Sequence, residues 1–503
     1  MNEPSASPYD ILVVGAGFAG SLTALVLHQL GFRVCVLERE SHPRFAIGES
    51  STPIADMILR ELAAKFKLPW LHDFSRYGSW QATHPEIVCG LKRGFSFFKH
   101  SPGRDFATDS GHNNELLVAA SADNLQSDTN WLRADFDAFL AGKLETSGIP
   151  YFARTEIIRA TYTHQWEIHT DSETNPVVYA TFLVDATGSG KLLEKIAGVV
   201  SSSRDFLTDS FAVYSHFEHV RRWTGLLQEK GVSTESFPYD PDDSALHHLL
   251  EEGWVWQLRF NDQRTSMGFV LSGADATLKN LTAEELWDLF PKRYPAIGAI
   301  LRTASLSRVP GKIIRSPRLQ RRTECCYGPG WVALPATAGF VDPLFSTGIA
   351  HTLAGIKKLS AIFSKYREQP GSLEQDLAGY EHSVFEELRL IDQLVAGSYQ
   401  TFAVFGLFNS WSMLYFAATI AYEQRLLRGE DPGYFLGADN RDIRKIVDDS
   451  FVELTDILGK GDPSGDTIQW FAGQVRKRIA PINTAGLLDP ASRNMYRHTA
   501  AVL

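Results

Sequence analysis

Three glycines near the start of the chain have the spacing of a phosphate-binding turn. Gly15, Gly17 and Gly20 follow directly on the apolar run of residues 9–14. In such a turn the first glycine permits the tight bend, the second lets a pyrophosphate approach the backbone, and the third lets the helix pack against the strand. Amides at the helix start then offer a phosphate hydrogen bonds and partial positive charge. The spacing predicts a dinucleotide site; the alternative is a purely structural turn.

A carboxylate follows at the position where it could bind a ribose. Residues 33–37 form a second apolar strand that ends at Glu38. Because a strand, a glycine turn, a helix, a strand and an acid follow one another, the segment predicts a βαβ unit. A carboxylate in that place accepts hydrogen bonds from ribose hydroxyls and disfavours a 2′-phosphate. The sequence therefore predicts NAD or FAD rather than NADP, with Phe18, Ala19 and Arg39 as further contacts.

Later segments predict the remaining elements of an α/β fold. A helix is expected over residues 135–144, strands over residues 182–184 and 331–334, and almost wholly helical structure after about Leu353. Residues 222–250 mix charges with proline and aspartate, which is typical of a surface insertion. The adjacent His247 and His248 within it are predicted as a helical pair that packs and binds no metal, and the basic pair Arg321 and Arg322 as a solvated face.

Composition and charge exclude several classes of protein. The 503 residues suggest two or three domains, and 44% hydrophobic with 21% charged residues excludes disorder as the main state. A formal net charge of −10 argues against a nucleic-acid partner. Four cysteines without metal-ligand spacing predict neither a disulfide scaffold nor a metal site. Met1 to Pro8 lack a basic and an apolar region, so we expect no secretion signal and a cytoplasmic location.

One uncharged stretch is long enough to span a bilayer. Gln393 to Tyr422 contains 30 residues without a charge. Asn409, Ser410 and Ser412 interrupt its middle, and no basic cluster flanks it on one side. These features favour a buried helix over a membrane span.

Three short motifs resemble known flavoproteins. The segment Asp185-Ala186-Thr187-Gly188 resembles the second FAD-contacting segment of glutathione-reductase-like flavoproteins. Two others resemble flavin-dependent halogenases: residues 42–53, with His42-Pro43-Arg44-Phe45 and Gly48-Glu49-Ser50-Ser51-Thr52-Pro53, and the helical pair Arg133-x-x-x-Asp137. The resemblance implies FAD, bound by a set of residues: Gly15, Gly17, Phe18, Ala19, Gly20, Glu38, Arg39, Gly48, Ser50, Arg133, Asp185, Asp342, Gly348 and Ile349.

The loop from Gly339 to Ile349 is the most specific match. Its sequence Gly-Phe-Val-Asp-Pro-Leu-Phe-Ser-Thr-Gly-Ile resembles the halogenase loop that passes the flavin ring and binds halide. Backbone amides at a helix start can hold an anion without a full positive charge. Chloride or bromide is therefore expected at Ser346, Thr347 and Gly348. The alternative is FAD binding alone, as in a related hydroxylase or reductase.

The resemblance also implies a catalytic lysine and an aromatic wall. Lys92 follows Gly90-Leu91, as the essential lysine of the halogenases follows its glycine, and there it would aim hypohalous acid at one ring carbon. Lys99 and Arg93 are weaker candidates. Trp254-x-Trp256 resembles the tryptophan-x-tryptophan-x-isoleucine-proline signature, although Leu258-Arg259 replaces its last pair. The substrate pocket is expected at Trp254, Trp256, Phe97 and Phe345.

Two departures from the family pattern affect the expected substrate and cofactor affinity. Phe345 stands where tryptophan halogenases carry a glutamate, which makes an indole substrate less favoured. Residues 335–338, Pro-Ala-Thr-Ala, replace the Gly-Asp-Ala whose aspartate holds the ribityl chain of FAD in many flavoproteins. Flavin affinity is then weak unless Asp342 takes over that contact.

Taken together, the chain resembles flavin-dependent halogenases, and most closely those that act on free phenols. The resemblance implies a Rossmann-like FAD-binding domain of the glutathione-reductase type, a mixed β-sheet substrate domain and a C-terminal helical region. The expected FAD-binding parts are 1–80, 113–200 and 311–353, the substrate parts are 81–112 and 201–310, and the helical region is 354–503.

The implied reaction is the chlorination or bromination of an electron-rich aromatic, phenolic small molecule of secondary metabolism. Hypohalous acid would form from a flavin hydroperoxide and halide, with molecular oxygen consumed. A separate flavin reductase would supply the reduced FAD, and the substrate would be either free or tethered to a carrier protein. The alternative is a flavin-dependent monooxygenase or reductase on the same fold without halide use.

Overall fold

The first βαβ unit forms as its spacing predicts. A computed structural model describes residues 8–501; residues 1–7, on which the expectation about a secretion signal mainly depends, lie outside them. Strand β1 (Tyr9–Val14) leads through the glycine turn into helix α1 (Phe18–Gln29) and then strand β2 (Val34–Leu37). The strands are wholly apolar at their inner residues because both faces of this sheet are covered.

The other helices are α2 (Pro53–Lys65), α3 (Pro69–Asp73), α4 (Tyr77–Thr83), α5 (Arg133–Thr146), α6 (Lys191–Ala197), α7 (Trp223–Glu229), α8 (Ala276–Asn280), α9 (Ala283–Arg293), α10 (Pro295–Leu301), α11 (Pro335–Ala338), α12 (Thr347–Glu368), α13 (Leu373–Thr401), α14 (Phe405–Leu427), α15 (Arg441–Gly459) and α16 (Gly465–Ile479). The other strands are β3 (Cys89–Lys92), β4 (Gly94–Lys99), β5 (Glu115–Ala119), β6 (Asp128–Trp131), β7 (Tyr151–Phe152), β8 (Ile157–Tyr162), β9 (Trp166–Thr170), β10 (Val177–Asp185), β11 (Ser201–Ser202), β12 (Ser210–Glu218), β13 (Ala245–Leu249), β14 (Gly253–Arg259), β15 (Thr265–Ser272), β16 (Ser305–Leu306), β17 (Ile314–Arg318), β18 (Arg321–Thr323), β19 (Tyr327–Gly328), β20 (Trp331–Ala333), β21 (Gly339–Phe340) and β22 (Met495–Tyr496).

The first sheet has the parallel core of a dinucleotide-binding domain. Within residues 8–501, eight strands form it, with the path β19-β20-β10-β1-β2-β7, with β9 attached to β10 and with β8 attached to β9. Strands β20, β10, β1, β2 and β7 run parallel, so their carboxyl ends share one edge. The glycine turn, Glu38 and Asp185 all follow or end strands at that edge, which is where an open parallel sheet binds its ligand.

The second sheet separates two hydrophobic cores. Among the described residues it has nine strands, in the order β16-β12-β15-β14-β13-β4-β5-β22 with β17 beside β12. Side chains such as Phe95 and Trp254 pack into the core shared with the first sheet and the C-terminal helices. Their strand neighbours, such as Phe98 and Val255, point to a second core under α7, α9 and α10. This alternation follows from the two-residue period of a strand.

Strand pairing assigns three segments differently from the boundaries expected from the sequence. Strand β5 pairs with β4 in the second sheet, although residues 113–200 were assigned to the FAD-binding part. Strand β17 pairs with β12 there as well, within the segment 311–353. The helical region from residue 354 ends in β22, which pairs with β5. Long-range pairing decides such placements, and hydrophobic pattern alone does not encode it.

The prediction of a surface insertion over residues 222–250 is wrong. Strand β13 lies inside the second sheet between β4 and β14, and all five of its residues are buried. His247 and His248 therefore belong to a strand and not to a helix, and they point into the two different cores. Because both faces of the strand are buried, the alternation of apolar and polar residues that marks a half-exposed strand is missing.

The uncharged stretch from Gln393 to Tyr422 is buried, but it is not one helix. It contains the end of α13 and most of α14, separated by a break at residues 402–404. Most side chains on both helices are buried, including Trp411 and Tyr415. Among residues 8–501, none of the helices combines the length and the hydropathy that crossing a membrane demands.

Candidate active site

The glycine turn leaves a cradle that fits a pyrophosphate. Gly15 adopts φ = +99°, and a Cβ there would lie 2.9 Å from the Ala186 carbonyl oxygen. A Cβ on Gly20 would lie 1.8 Å from the Gly15 carbonyl oxygen, so only glycine permits this contact of helix and turn. At Gly17 a Cβ would lie 3.5 Å from side-chain atoms of Arg133 and Asp137, which is ordinary van der Waals contact. The conformation of Gly15 and the close packing at Gly20 fit the roles that their spacing predicts, and contact of a pyrophosphate with Gly17 stays a prediction.

Glu38 lies where the ribose carboxylate is expected. It is 5% exposed, and its carboxylate accepts hydrogen bonds from the amides of Ala16 at 2.8 Å and Glu40 at 3.0 Å. The Arg44 guanidinium approaches it to 3.4 Å. By contrast, the neighbouring Arg39 points to solvent, with a side chain 70% exposed. Arg39 could therefore contact a bound cofactor only at the rim of the cradle.

The pair Arg133 and Asp137 ties the cradle to the following segment. Two hydrogen bonds of 2.8 Å join the guanidinium to the carboxylate, one helical turn apart on α5. Asp137 also accepts from the Phe18 amide at 3.1 Å, and Arg133 donates to the carbonyls of Ile47 and Gly48. The guanidinium lies 4.7 Å from the Phe18 ring centre. This bridge holds the start of α1 against residues 42–53, and Ala19 lies within that first turn.

An arginine stabilises the segment where the Gly-Asp-Ala motif is absent. Arg321 donates to the carbonyls of Gly188, Ala336 and Thr337. Burial lowers the pKa of this guanidinium to about 10. Arg321 is half-buried and hydrogen-bonded, so the expectation of a solvated side chain is wrong. The loop after β10 and helix α11 bring the three carbonyls together, and the sequence does not show this arrangement.

Asp185 and Asp342 have different surroundings. Asp185 is buried at the end of β10 beside the Thr187 amide, and burial raises the pKa of its carboxyl to about 6. The Asp342 carboxyl accepts hydrogen bonds from Ser210, Tyr399 and the Leu344 amide, and burial likewise raises its pKa to about 6. With three protein partners, Asp342 is already engaged in holding its own loop. A carboxylate can accept a fourth hydrogen bond, so contact of Asp342 with the ribityl chain stays a prediction.

The loop before α12 presents an open helix start. Ser346, immediately before the helix, is in the left-handed region at φ = 52°, and within the described chain no side chain caps the first turn. A Cβ on Gly348 would meet no described atom within 4 Å. The Ser346 hydroxyl donates to the Ser50 hydroxyl at 3.0 Å. Thr347, Gly348 and Ile349 thus leave their amides available at the positive end of a 22-residue helix, where an anion is stabilised.

Lys92 is fully buried at the end of β3. Its Nζ donates to the Ser51 carbonyl and lies 4.1 Å from the centre of the Phe95 ring. Burial lowers the pKa of the ammonium to about 8, while the nearby carboxyls of Asp128, Asp56 and Glu423 partly offset that change. Most strand lysines are solvated, so a buried one marks a functional candidate.

The two other basic candidates lie elsewhere. Arg93 donates to Asn124 and to the carbonyls of Ser121 and Ala122 at the rim of the sheet. Lys99 lies at the far end of β4, near Glu251 and Glu252.

A carboxyl pair accompanies Lys92. Asp128 lies directly across from Lys92 in the β3–β6 pair, and burial raises its pKa to about 6 although the ammonium counteracts the rise. Burial and the charge of Asp128 raise the pKa of Asp56, which shares a hydrogen bond with Asp128. Neither carboxyl was singled out from the sequence, because 36 residues separate Lys92 from Asp128 and no motif spacing connects them.

A narrow apolar pocket adjoins Lys92. Its volume is about 20 Å³, which is enough for about one water molecule. Its lining comes from several elements: Thr52, Pro53, Phe95, Val118, Ala120, Tyr415, Phe416, Thr419, Ile420, Glu423 and Thr499. The residues from α14 and from the end of the chain were not expected from the sequence.

The four residues expected to line the pocket, Phe97, Trp254, Trp256 and Phe345, are not among its lining residues and belong to a neighbouring buried aromatic layer. Phe345 stacks on Tyr415 with ring centres 4.3 Å apart, and the Tyr415 hydroxyl donates to the Phe345 carbonyl. Phe97 stacks on His247, which in turn lies 5.1 Å from Trp254. Trp256 donates to Ser266 in the same buried layer. Burial lowers the pKa of His247 to about 3, so it is a neutral part of this layer.

The sheet order, the glycine cradle and the open helix start define an FAD-dependent oxidoreductase. Two family profiles match the chain: tryptophan halogenase over residues 132–403, and NAD(P)-binding Rossmann-like domain over residues 13–84. The first covers more than half of the chain. The protein belongs to the tryptophan halogenase family and is a flavin-dependent halogenase, which uses reduced FAD, halide and oxygen.

Individual relatives are similar over nearly the whole chain. The monodechloroaminopyrrolnitrin halogenase PrnC of Pseudomonas fluorescens is 25% identical over 92% of this chain and 84% of its own length. The tetracycline 7-halogenase of Kitasatospora aureofaciens is 26% identical over 94% and 86%. The crystal structure of halogenase PltM with phloroglucinol and FAD superposes with a TM-score of 0.86 at 24% identity, over 97% of this chain and 99% of that one. The predicted family, fold class and cofactor are thus confirmed.

Proposed function

We propose that this halogenase chlorinates or brominates a phenolic small molecule, with Lys92 as the residue that presents hypohalous acid to the ring. The observation that carries the proposal is a fully buried ammonium beside an aromatic-lined pocket. The pocket as it stands holds about one water molecule, so in our proposal its aromatic walls move apart to admit a phenol, whose electron-rich ring an electrophilic halogen requires. Phloroglucinol, a phenol, occupies the structurally similar PltM.

The residues assigned to cofactor and halide fit these groups. When bound, reduced FAD would activate molecular oxygen, which supplies the oxidising equivalent that converts halide to hypohalous acid. In our proposal Gly15, Gly17 and Glu38 hold its pyrophosphate and ribose, and the open amides at Thr347 and Gly348 hold the halide. An anion held by amides keeps more of its nucleophilicity than one in a tight ion pair. The Lys92 ammonium, within a site closed to water, donates a hydrogen bond to the neutral oxidant.

The proposal includes two partners. A separate flavin reductase delivers reduced FAD, and the aromatic substrate enters the pocket as a small molecule. The acidic net charge of −10 makes nucleic acid an unsuitable partner. A cytoplasmic location, where reduced flavin is available, is part of the same proposal.

Turnover of two lysine variants tests the proposal. Purified protein, FAD, a flavin reductase with NADH, oxygen and bromide are incubated with phloroglucinol, resorcinol or tryptophan, and products are identified by mass spectrometry. We expect a bromine isotope doublet on a phenol that falls by roughly 10²-fold or more in Lys92→Met. The matched control is Lys99→Met, the largely buried lysine of β4, which should retain the activity.

Two outcomes would contradict the proposal. A product that gains one oxygen independently of bromide would identify a monooxygenase. Equal losses of bromination activity in Lys92→Met and Lys99→Met would show that Lys92 has no special role, because replacement of a lysine remote from the pocket would have the same effect.

A further inference from the structure

The pocket beside Lys92 contains a carboxyl group that the reaction described so far does not use. Glu423 on α14 lines the pocket and is 2% exposed. Tyr415 and Thr419 precede it at intervals of four residues, so the three side chains form one stripe on the helix. Thr52, which follows the carbonyl acceptor of the Lys92 ammonium, lines the same pocket. The Lys92 ammonium contacts Phe95, which lines this pocket, whereas the Glu423 side chain belongs to the lining itself.

The surroundings of Glu423 raise the pKa of its carboxyl, which favours a group that can take up and release a proton. Burial and the charge of Asp128 raise the pKa of Glu423 well above its ordinary value. The backbone amide of Ala501 and the Lys92 ammonium act in the opposite direction. A carboxylate with a raised pKa is a stronger base than an exposed one, and it is most effective when its pKa is near the operating pH.

Asp128 is less suited to the same task. It lies across from Lys92 in the β3–β6 pair and shares a hydrogen bond with Asp56. It is absent from the lining of the pocket, whereas Glu423 is part of it. Asp128 is therefore placed to set the charge of Lys92, and Glu423 is the carboxyl that lines the pocket.

We propose that Glu423 is the second catalytic residue of this halogenase and takes the proton of the substrate's ring hydroxyl. The inference rests on the proposed function, since it requires a phenol in the pocket and Lys92 at the oxidant. It also narrows the substrate class to aromatics that carry a free hydroxyl group. A hydroxyl bound to a carboxylate releases electron density into the ring, which makes the carbon more nucleophilic.

The proton and electron balance closes with these two side chains. A ring carbon uses a π electron pair to form the carbon–halogen bond, and the oxygen–halogen bond of hypohalous acid breaks. The leaving hydroxide takes a proton from the Lys92 ammonium and becomes water. Glu423 takes the hydroxyl proton, which leaves a neutral halogenated dienone. The dienone tautomerises to the halogenated phenol, and the proton on Glu423 returns to the Lys92 amine.

Two substrates distinguish a role of Glu423 as a base from a role in maintaining the shape of the pocket. Phloroglucinol and its trimethyl ether have similarly electron-rich rings, but only phloroglucinol can give a hydroxyl proton to Glu423. The holoenzyme brominates each compound in excess methionine, which destroys oxidant that leaves the protein. Release of hypobromous acid is measured separately with monochlorodimedone. The variants are Glu423→Gln and Glu423→Asp, with Glu368→Gln at the exposed end of α12 as control.

The expected result is selective for the phenol. Glu423→Gln should brominate phloroglucinol roughly 10²-fold more slowly than the parent protein. Its rate on the trimethyl ether and its release of hypobromous acid should stay within about twofold. Glu423→Asp, which keeps a carboxylate, should recover part of the phenol rate. In the parent protein the phenol rate should rise with pH through the titration of Glu423, and this limb should vanish in Glu423→Gln.

Several results would overturn the inference. An unchanged phloroglucinol rate in Glu423→Gln would do so, and so would equal losses on both substrates, because a distorted pocket affects both. A parent protein that releases hypobromous acid but brominates neither compound would refute the substrate class. Absence of both hypobromous acid and any brominated product from the parent protein would instead refute the proposed function, which is a distinguishable failure.

Discussion

The hydroxyl of Ser346 donates a hydrogen bond of 3.0 Å to the hydroxyl of Ser50, across 296 residues of chain. This contact joins the loop at the start of α12 to the segment that follows β2. Ser346 is also the residue whose left-handed backbone turns the chain into the helix. The two serines therefore position the amides to which we assign the halide.

Removal of either serine hydroxyl should weaken halide binding. A hydrogen bond of this kind contributes about 1 kcal/mol, so Ser346→Ala and Ser50→Ala should each raise the KM for bromide about fivefold. Bromide titrations at saturating reduced FAD measure the effect. The double variant should be no worse than either single variant, because both remove one interaction. Additive losses would mean that each hydroxyl acts separately.

Two glycine variants should separate folding of the cradle from cofactor binding. A Cβ at Gly17 would meet its nearest atoms at 3.5 Å, whereas one at Gly20 would overlap the Gly15 carbonyl oxygen. Gly17→Ala should therefore keep the thermal stability of the parent protein but weaken FAD binding by tenfold or more, on the order of 1.4 kcal/mol. Gly20→Ala should lose thermal stability as well. Flavin fluorescence titration and thermal unfolding measure the two properties, and normal FAD affinity in Gly17→Ala would contradict the assignment.

The carboxyl of Asp128 should set the pH range of activity. It raises the pKa of Lys92 against the effect of burial, and the resulting value is about 8. If the ammonium is the active form, activity falls as pH rises above about 8. Asp128→Asn removes the opposing charge, so this alkaline limb should move to lower pH. The pH dependence of kcat measures the shift, and Asp123→Asn in an exposed loop is the control. A limb that stays in place would show that another group titrates.

Arg321 should matter much more for stability than its neighbour Arg322. Arg321→Met leaves three carbonyl groups without their donor, which should lower the free energy of unfolding by about 3 kcal/mol. Arg322 forms a largely exposed ion pair with Asp205, so Arg322→Met should cost less than about 1 kcal/mol. Denaturant unfolding of the two variants tests the difference. Similar losses in both would refute the bridging role of Arg321.

The parts of the site that the sequence predicts are those built from neighbouring residues. The glycine turn, Glu38, and Arg133 with Asp137 each depend on spacing within one unit, so their geometry follows from helix and strand periods. Lys92 could be singled out because a family motif surrounds it. Glu423 could not, since it lies 331 positions further on and its stripe on α14 has the same apolar spacing as any buried helix.

The same distinction explains the errors in the fold. His247 lies in a strand that is buried on both faces, where a short run of mixed residues carries no period. An arginine such as Arg321 is typical of a surface position. Only the meeting of the loop after β10, helix α11 and strand β18 shows that its guanidinium binds backbone carbonyls. Contacts between distant segments decide both cases.

The carboxyl groups near Lys92 have a consequence for the charge of the site. Burial raises the pKa of Asp56, Asp128 and Glu423, so these carboxyls hold protons at a higher pH than exposed carboxyls do. Each proton that they hold removes a negative charge from beside the Lys92 ammonium and so lowers the pKa of that ammonium. The lysine and the three acids therefore titrate as one group, and the charge of Lys92 depends on all of them.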